Sequence, residues 1–165
     1  MNKKAVSKRS TLNRKKWEHF AQKILESLRG IPCNLPRGAK SVEIANTRKS
    51  KIFFLNRKPL FVERRNRIVP SLINEETLSK LPSVIVDQGA VPFLCAGANV
   101  MAPGVRQVDG EFSPGQLVVV REERFHKSLI VGSAIVGSEE MKMQPKGKVI
   151  ENIHYVGDDA WQQFT

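Results

Sequence analysis

The residue types that most often carry catalysis are present in this chain, but their spacing does not form a recognisable active site. His19, His126 and His154 have neither a second histidine four residues away nor a cysteine at metal-ligand spacing, so we expect surface or half-buried side chains. The acidic pairs 122–123 and 139–140 are adjacent, and neighbouring side chains diverge on a strand or helix. A Walker-type phosphate loop and a G-x-G-x-x-G segment after a strand are both missing. The sequence therefore predicts a binding protein with no catalytic residue, metal or cofactor.

The two cysteines, Cys33 and Cys95, are expected to be ordinary thiols. Neither has a second metal ligand nearby, which argues against a zinc site or a disulfide framework, although the sequence leaves their pairing open. No segment approaches the roughly 18 apolar residues of a membrane-spanning helix. The N-terminus also lacks the apolar core of a secretory signal. A cytoplasmic protein without membrane contact is expected.

Charge is distributed unevenly along the chain. Residues 1–82 contain 20 Lys and Arg against 6 Asp and Glu, a net charge of +14, whereas residues 83–165 contain 7 against 10, a net charge of −3. A strongly basic segment attracts polyanions. The second half has short Val, Ile and Leu runs separated by Gly and Pro, a pattern typical of a small closed sheet. We expect two domains, 1–82 and 83–165, and a nucleic-acid-binding function.

The basic half is predicted to contain one amphipathic helix followed by short strands. Apolar residues recur from Trp17 to Leu28 at helical spacing, and Gly30 with Pro32 ends the pattern. Residues 41–70 alternate apolar runs with basic pairs, which predicts strands joined by tight turns at Asn56 and Asn66. The basic pairs are either solubilising or form a patch that faces RNA or the ribosome, and the candidates are Arg48, Lys49, Arg57, Lys58, Arg64 and Arg65.

The second half is predicted to be a sheet interrupted by short helices, which makes the whole chain α+β. A buried strand, 83–86, is followed by a helical stretch, 90–96, whose Phe93 and Leu94 are expected to face inward. Further strands are expected near 105–108, 117–121, 128–136 and 148–155. Trp161 and Phe164 are expected to pack at the barrel mouth or the domain interface rather than stack on bases.

The run Val86-Asp87-Gln88-Gly89-Ala90-Val91, the run Ala96-Gly97-Ala98-Asn99-Val100-Met101-Ala102-Pro103-Gly104 and the closing Lys146-Gly147-Lys148-Val149 resemble a PUA domain. The PUA domain is an RNA-binding module named for pseudouridine synthases and archaeosine transglycosylases. The tail Glu151-Asn152-Ile153-His154-Tyr155 with Asp158, Asp159 and Trp161 resembles the stand-alone archaeal and eukaryotic translation-associated proteins of the malignant T-cell-amplified type. The resemblance implies a basic α/β pre-PUA domain packed on a PUA pseudo-β-barrel.

The resemblance also implies a binding surface. In PUA domains RNA lies across the first helix, the loop after it and the closing strand, which correspond here to Gln88, Gly97, Ala98, Asn99, Val100, Met101, Lys146, Gly147 and Lys148. A glycine at 97 permits positive φ and close approach of a phosphate or base to backbone N–H groups, although an ordinary helix C′ role fits equally well. Asp87 is expected to accept hydrogen bonds from the backbone of its own turn.

By the same resemblance, the partner would be structured RNA, either tRNA or small-subunit rRNA. The process would be translation initiation or ribosome recycling, with the small ribosomal subunit and a translation-factor protein as further partners. Two alternatives remain open. One is a substrate-binding accessory for tRNA or rRNA modification of the pseudouridine synthase or transglycosylase type, and the other is a scaffold whose basic half binds an acidic protein. The RNA's identity, the oligomeric state and the domain orientation are not encoded in any motif.

Overall fold

Two β-sheets, one in each half of the chain, form the framework of the protein. The computed structural model describes residues 7–38 and 42–164. The first sheet has five strands, which lie side by side in chain order. The second sheet has six strands, and the first strand of that half lies between the third and the fourth. Helices are short except for one in the first half. The architecture is α+β, as predicted.

The first half places one long helix against an antiparallel meander. Its elements are β1 Ser10–Thr11, α1 Arg14–Leu28, β2 Val42–Asn46, β3 Lys51–Leu55, β4 Lys58–Arg64, β5 Arg67–Pro70 and α2 Glu75–Leu78. Asn13 caps α1 by accepting a 2.9 Å hydrogen bond from the Lys16 N–H. The predicted tight turns are confirmed, because Asn56 and Asn66 have φ of 49° and 60° and join β3 to β4 and β4 to β5.

The second half is a curved, mostly antiparallel sheet with short helices at its edges. Its elements are β6 Ser83–Val86, α3 Val91–Leu94, β7 Val100–Met101, β8 Val105–Asp109, β9 Leu117–Glu122, β10 Ser128–Ala134, α4 Ser138–Met143 and β11 Lys148–Tyr155. β6 is parallel to β9 and antiparallel to β8. A 3₁₀ turn, Gln88–Ala90, leads into α3.

A β-bulge bends β10 against β11. The register between these strands shifts between Val131 and Gly132. A Cβ atom at Gly132 would lie 2.5 Å from the backbone oxygen of Glu151. The bulge therefore requires glycine at this position.

Apolar side chains from both halves share one core. Leu117, Val119, Val131, Ile153 and Ala160 belong to the same buried cluster as the side chains of α1 and the first sheet. Trp161 and Phe164 pack against this cluster, which confirms their predicted structural role. A second buried cluster fills the curve of the second sheet. The shared core fixes the two halves against each other.

A buried polar network also crosses the interface, and it corrects the prediction for Arg64. The Arg64 side chain is only 7% exposed and lies 3.6 Å from carboxylate oxygens of both Asp158 and Asp159. Its Nε donates to Ser50 Oγ at 3.0 Å, and its Nη1 donates to the carbonyl of Ile153 at 2.9 Å. Arg64 is therefore buried in the interface, where its Nε and Nη1 atoms have hydrogen-bond partners, and it is not part of an exposed basic patch.

His154 differs from its prediction as well. It is completely buried rather than at or near the surface. Its Nδ1 lies 2.7 Å from Asp158 Oδ2, and its Nε2 accepts a hydrogen bond from the Leu72 N–H at 3.2 Å. This histidine connects the second half of the chain to the first.

Cys33 and Cys95 are free, half-buried thiols, and burial raises the pKa of each. Within residues 7–38 and 42–164, no helix has the length and hydropathy needed to cross a membrane. The same residues contain no cluster of three or more histidine, cysteine or acidic side chains suited to hold a metal ion.

Candidate nucleic-acid interface

The two segments predicted to bind RNA lie side by side. Met101 pairs with Lys148, and Val100 pairs with Ile150, in the antiparallel ladder of β7 and β11. The Ala102 N–H donates to the carbonyl of Gly147 at 2.8 Å. Residues 97–101 and 146–148 therefore form one continuous surface, which we call the ledge.

Gly97 is the C′ residue of the helix that opens the ledge. Its φ is +100°, its N–H donates to Leu94 O at 3.0 Å, and the Ala98 N–H donates to Phe93 O at 3.0 Å. This pair of bonds is a Schellman motif, which favours glycine because of the left-handed backbone. Both N–H groups are thus already satisfied, so the expected approach of a phosphate to them is not available.

The loop after Gly97 is held by Asn152, a residue of the tail motif for which no role was predicted. The Asn152 side chain donates to the carbonyls of Leu94 and Ala98 at 3.2 and 2.9 Å, and its backbone N–H donates to Asn99 Oδ1 at 2.9 Å. Asn99 therefore anchors the loop to β11. The sequence signal for Asn152 was its place in the tail motif, within the predicted closing strand.

The other predicted ledge residues divide by exposure. The Val100 side chain is 1% exposed and belongs to the core, so it cannot contact RNA as predicted. Gln88 is exposed, but its side-chain amide donates a hydrogen bond to Glu122, which lies outside the ledge. The remaining predicted residues are exposed, and they are Ala98, Met101, Lys146, Gly147 and Lys148.

An apolar pocket of about 350 Å³ lies beside the ledge, lined by Phe93, Ala98, Met101 and Pro103 among others. Phe93 is 68% exposed and Met101 is 46% exposed. The prediction that Phe93 faces inward is wrong, because α3 has only four residues and Leu94 occupies its buried side. Exposed apolar side chains around a concavity are typical of a binding site.

The charges around this pocket favour an anion. Within the described chain, Lys146 and Lys148 are exposed and form no ion pair. Asp87, the acidic residue of the pocket, accepts a 2.9 Å hydrogen bond from the Ala90 N–H and pairs with Arg106 at 3.0 Å. The predicted turn role of Asp87 is confirmed, and its charge is compensated.

The predicted basic patch is only partly assembled. Lys49 and Arg65 line a cleft of about 490 Å³ that also includes Gly97 and Tyr155. Arg48 lines an adjoining cleft with Lys49. Arg57 and Lys58 are exposed at the start of β4 and line neither cleft. The structure thus brings Lys49 and Arg65, with the largely buried Arg64, to a cleft that includes Gly97 of the ledge, whereas Arg48 lies only in the adjoining cleft.

Comparison with known proteins agrees with this geometry. The sequence model of the PUA domain matches residues 82–156, and a model described as a domain of unknown function, DUF1947, matches residues 8–74. An uncharacterized protein of Methanocaldococcus jannaschii is 39% identical over 124 residues, which are 73% of this chain and 75% of that protein. Malignant T-cell-amplified sequence 2 of Homo sapiens is 31% identical over 141 residues, covering 81% of this chain and 72% of that protein. The chain belongs to the PUA-domain family of the malignant T-cell-amplified type.

Two further similarities extend this assignment. Translation machinery-associated protein 20 of Saccharomyces cerevisiae is 32% identical over 120 residues, which are 68% of this chain and 66% of that protein. A solved structure of a hypothetical protein from Pyrococcus horikoshii has a TM-score of 0.74 and 30% identity, covering 96% of this chain and 100% of that one. The second half is therefore a PUA pseudo-barrel, and the basic first half is the pre-PUA region packed on it.

Proposed function

We propose that this protein binds structured RNA, either tRNA or small-subunit rRNA, and acts in translation initiation or ribosome recycling. The observation that carries the proposal is the position of the apolar pocket of Phe93 and Met101 beside the exposed cations Lys146 and Lys148. Membership of the PUA-domain family and similarity to a translation machinery-associated protein support it.

The chemistry of the ledge suits RNA with exposed bases. Proteins recognise RNA largely through unstacked nucleotides, whose bases stack on aromatic or apolar side chains. Lysine ammonium groups contact phosphates as flexible point charges. Phe93 and Met101 of the pocket offer the apolar contact, and Lys146 and Lys148 of the ledge offer the charge. Lys49 extends the cationic surface onto the pre-PUA region, whereas the charge of Arg65 is partly compensated by Glu151 at 3.6 Å.

The test is a salt titration of RNA binding, measured by fluorescence anisotropy with labelled tRNA and with a small-subunit rRNA fragment. If about six phosphates are contacted, the log–log slope of affinity against salt is roughly −4 to −6. The variant Lys146→Glu/Lys148→Glu should bind at least about tenfold more weakly, with a slope less steep by roughly 1.4 to 1.8 for two lost contacts.

The matched control is Lys15→Glu/Lys16→Glu, which makes the same change in net charge at two exposed lysines of α1, outside the ledge. We expect it to bind more tightly than the ledge variant. Unchanged affinity and slope in a folded ledge variant would overturn the assignment of the ledge. Co-purification with a synthase or transglycosylase, instead of with ribosomal subunits, would contradict the translation role and favour a role in RNA modification.

A further inference from the structure

The loop between β9 and β10 presents an aromatic side chain to solvent. Phe125 is 67% exposed. The guanidinium carbon of Arg124 lies 5.1 Å and the ammonium of Lys127 lies 5.9 Å from the centre of its ring. The three side chains form an exposed aromatic group flanked by two cations, and we call residues 123–127 the aromatic loop.

The backbone of the aromatic loop is organised by one buried carboxylate. Glu122 accepts hydrogen bonds from the N–H groups of Arg124, Phe125 and Lys127 at 2.6 to 3.0 Å and from the side chain of Gln88. The Lys127 hydrogen bond has the largest effect on Glu122 and, with those from Phe125, Arg124 and Gln88, lowers its pKa to about 2 against the opposing effect of burial. Glu122 is therefore an acceptor inside the loop and not a free surface charge.

The remaining charges near the loop are mostly compensated or positive. Glu123 accepts a hydrogen bond from the Gln88 N–H at 3.2 Å and lies 4.0 Å from Arg106. Arg121 donates to the carbonyl of His126 at 3.3 Å, which adds a third cation at the base of the loop. His126 is exposed and has a φ of 56°. The loop thus offers excess positive charge around one apolar ring.

We propose that Phe125 stacks on an unpaired base of the bound RNA, while Arg124 and Lys127 contact the phosphates on either side of that base. This inference rests on the proposed function and adds a second contact beyond the ledge. Because the loop is already held by hydrogen bonds, it loses little conformational entropy on binding. Less of the free energy of stacking is therefore offset by the cost of ordering the loop. An aromatic platform with adjacent cations is the arrangement that proteins use for single-stranded nucleic acid.

Gln88 connects the aromatic loop to the helix that lines the apolar pocket. Its side chain bonds to Glu122, and it begins the 3₁₀ turn that leads directly into α3 and Phe93. Arg106 makes a second connection, because it lies 3.0 Å from Asp87 of the pocket and 4.0 Å from Glu123 of the aromatic loop. The proposal is that one RNA strand continues from the pocket to the loop across these residues. At the aromatic loop one apolar ring is exposed among several cations. A negatively charged partner is therefore favoured over a neutral lipid or an apolar protein surface.

The experiment compares Phe125→Ala, Phe125→Leu and Phe125→Trp in binding to a single-stranded RNA decamer and to tRNA at constant salt. Because a base–aromatic stack is worth about 1 to 3 kcal/mol, the alanine variant should bind about 5- to 150-fold more weakly. The leucine variant keeps apolar area without a π-face and should also bind weakly, whereas tryptophan should restore affinity. The salt slope should not change in these variants, and it should become less steep by roughly 1.4 to 1.8 in Arg124→Glu/Lys127→Glu.

The ledge variant Lys146→Glu/Lys148→Glu separates this inference from the proposed function. If the ledge variant binds weakly while Phe125→Ala binds like the unaltered chain, the stacking inference is wrong and the proposed function stands. If the unaltered chain binds neither RNA, both are wrong. A Phe125→Ala defect confined to vesicles containing phosphatidylserine would instead assign the loop to a membrane surface and overturn the inference. Circular dichroism should show the same fold for all Phe125 variants.

Discussion

The Nδ1 atom of His154 lies 2.7 Å from Oδ2 of Asp158, and both side chains are buried between the PUA domain and the pre-PUA region. Because His154 Nε2 accepts the Leu72 N–H, Nδ1 carries the proton and donates to Asp158. Asp158 also accepts the N–H groups of Tyr155 and Trp161 at 3.1 and 2.8 Å. One carboxylate thus satisfies three donors and neutralises part of the charge of Arg64.

Replacement of this carboxylate should be strongly destabilising. Asp158→Ala leaves the proton donors of His154, Tyr155 and Trp161 without an acceptor and deprives buried Arg64 of a counter-charge. We expect a loss of about 3 to 5 kcal/mol in the free energy of unfolding, measured by urea titration. The control is Glu139→Ala, which removes an exposed ion pair with Lys142 and should cost less than about 1 kcal/mol. Equal effects of the two substitutions would contradict this account of the interface.

Stability should fall in acid. Burial alone would raise the pKa of Asp158 and of Asp159, but hydrogen bonds from His154 to the first and from Ser50 and Thr47 to the second outweigh it and lower both. The pKa of Glu122 is also lowered, from 4.5 to about 2. A carboxyl group with a lowered folded-state pKa stabilises the fold above its unfolded-state pKa and loses that contribution as the pH falls toward the folded value.

The free energy of unfolding should therefore decrease as the pH falls from about 4.5 to about 2, the window given by Glu122. Glu122→Gln removes one titrating group, so its decrease over this window should be smaller than that of the unaltered chain. Urea titrations of both proteins at pH 7, 4 and 2.5 measure the difference. A parallel decrease in both proteins would show that Glu122 contributes nothing to the acid sensitivity.

Local sequence signals predicted most of the elements and the ledge. Helical spacing located α1, the asparagines at 56 and 66 located two hairpin turns, and the ordered PUA motifs brought Gly97 and Lys148 to one surface. The first two signals lie within a few residues of the structures that they specify. The ledge joins segments about 50 residues apart, where Met101 pairs with Lys148, and only the resemblance to the PUA domain predicted it.

Arg64 and His154 could not be placed in the same way. Three partners of Arg64, namely Ile153, Asp158 and Asp159, lie about 90 residues further along the chain. The sequence of a basic pair is the same whether one of its side chains faces solvent or contacts an acidic pair from another domain, so it does not predict which of these occurs. Phe93 was predicted to face inward for a different reason. On a helix of four residues, two adjacent apolar side chains give no helical spacing that indicates which of them packs inward.

The bulge at Gly132 offers a test of backbone packing. Gly132→Ala would place a Cβ atom 2.5 Å from both the Glu151 carbonyl oxygen and a side-chain carbon of Ile150, so β10 and β11 must separate. We expect a loss of about 1 to 3 kcal/mol or more, seen as a lower midpoint of thermal unfolding. Gly89→Ala is the control, since its nearest contact would be an ordinary 3.5 Å from Asp87. If both glycines tolerate alanine equally, the bulge does not depend on a missing side chain.

Phe93 and Leu94 are neighbours on α3, and they should separate binding from stability. Leu94 is 2% exposed, so Leu94→Ala should cost about 2 to 5 kcal/mol of unfolding free energy. Phe93 is 68% exposed, so Phe93→Ala should change stability by less than about 0.5 kcal/mol. If Phe93 contacts an RNA base on the ledge, its alanine variant should nevertheless bind tRNA about tenfold more weakly. If a stable Phe93→Ala variant binds tRNA with unchanged affinity, the apolar pocket does not contact RNA. The lysines of the ledge would then remain as the RNA contact.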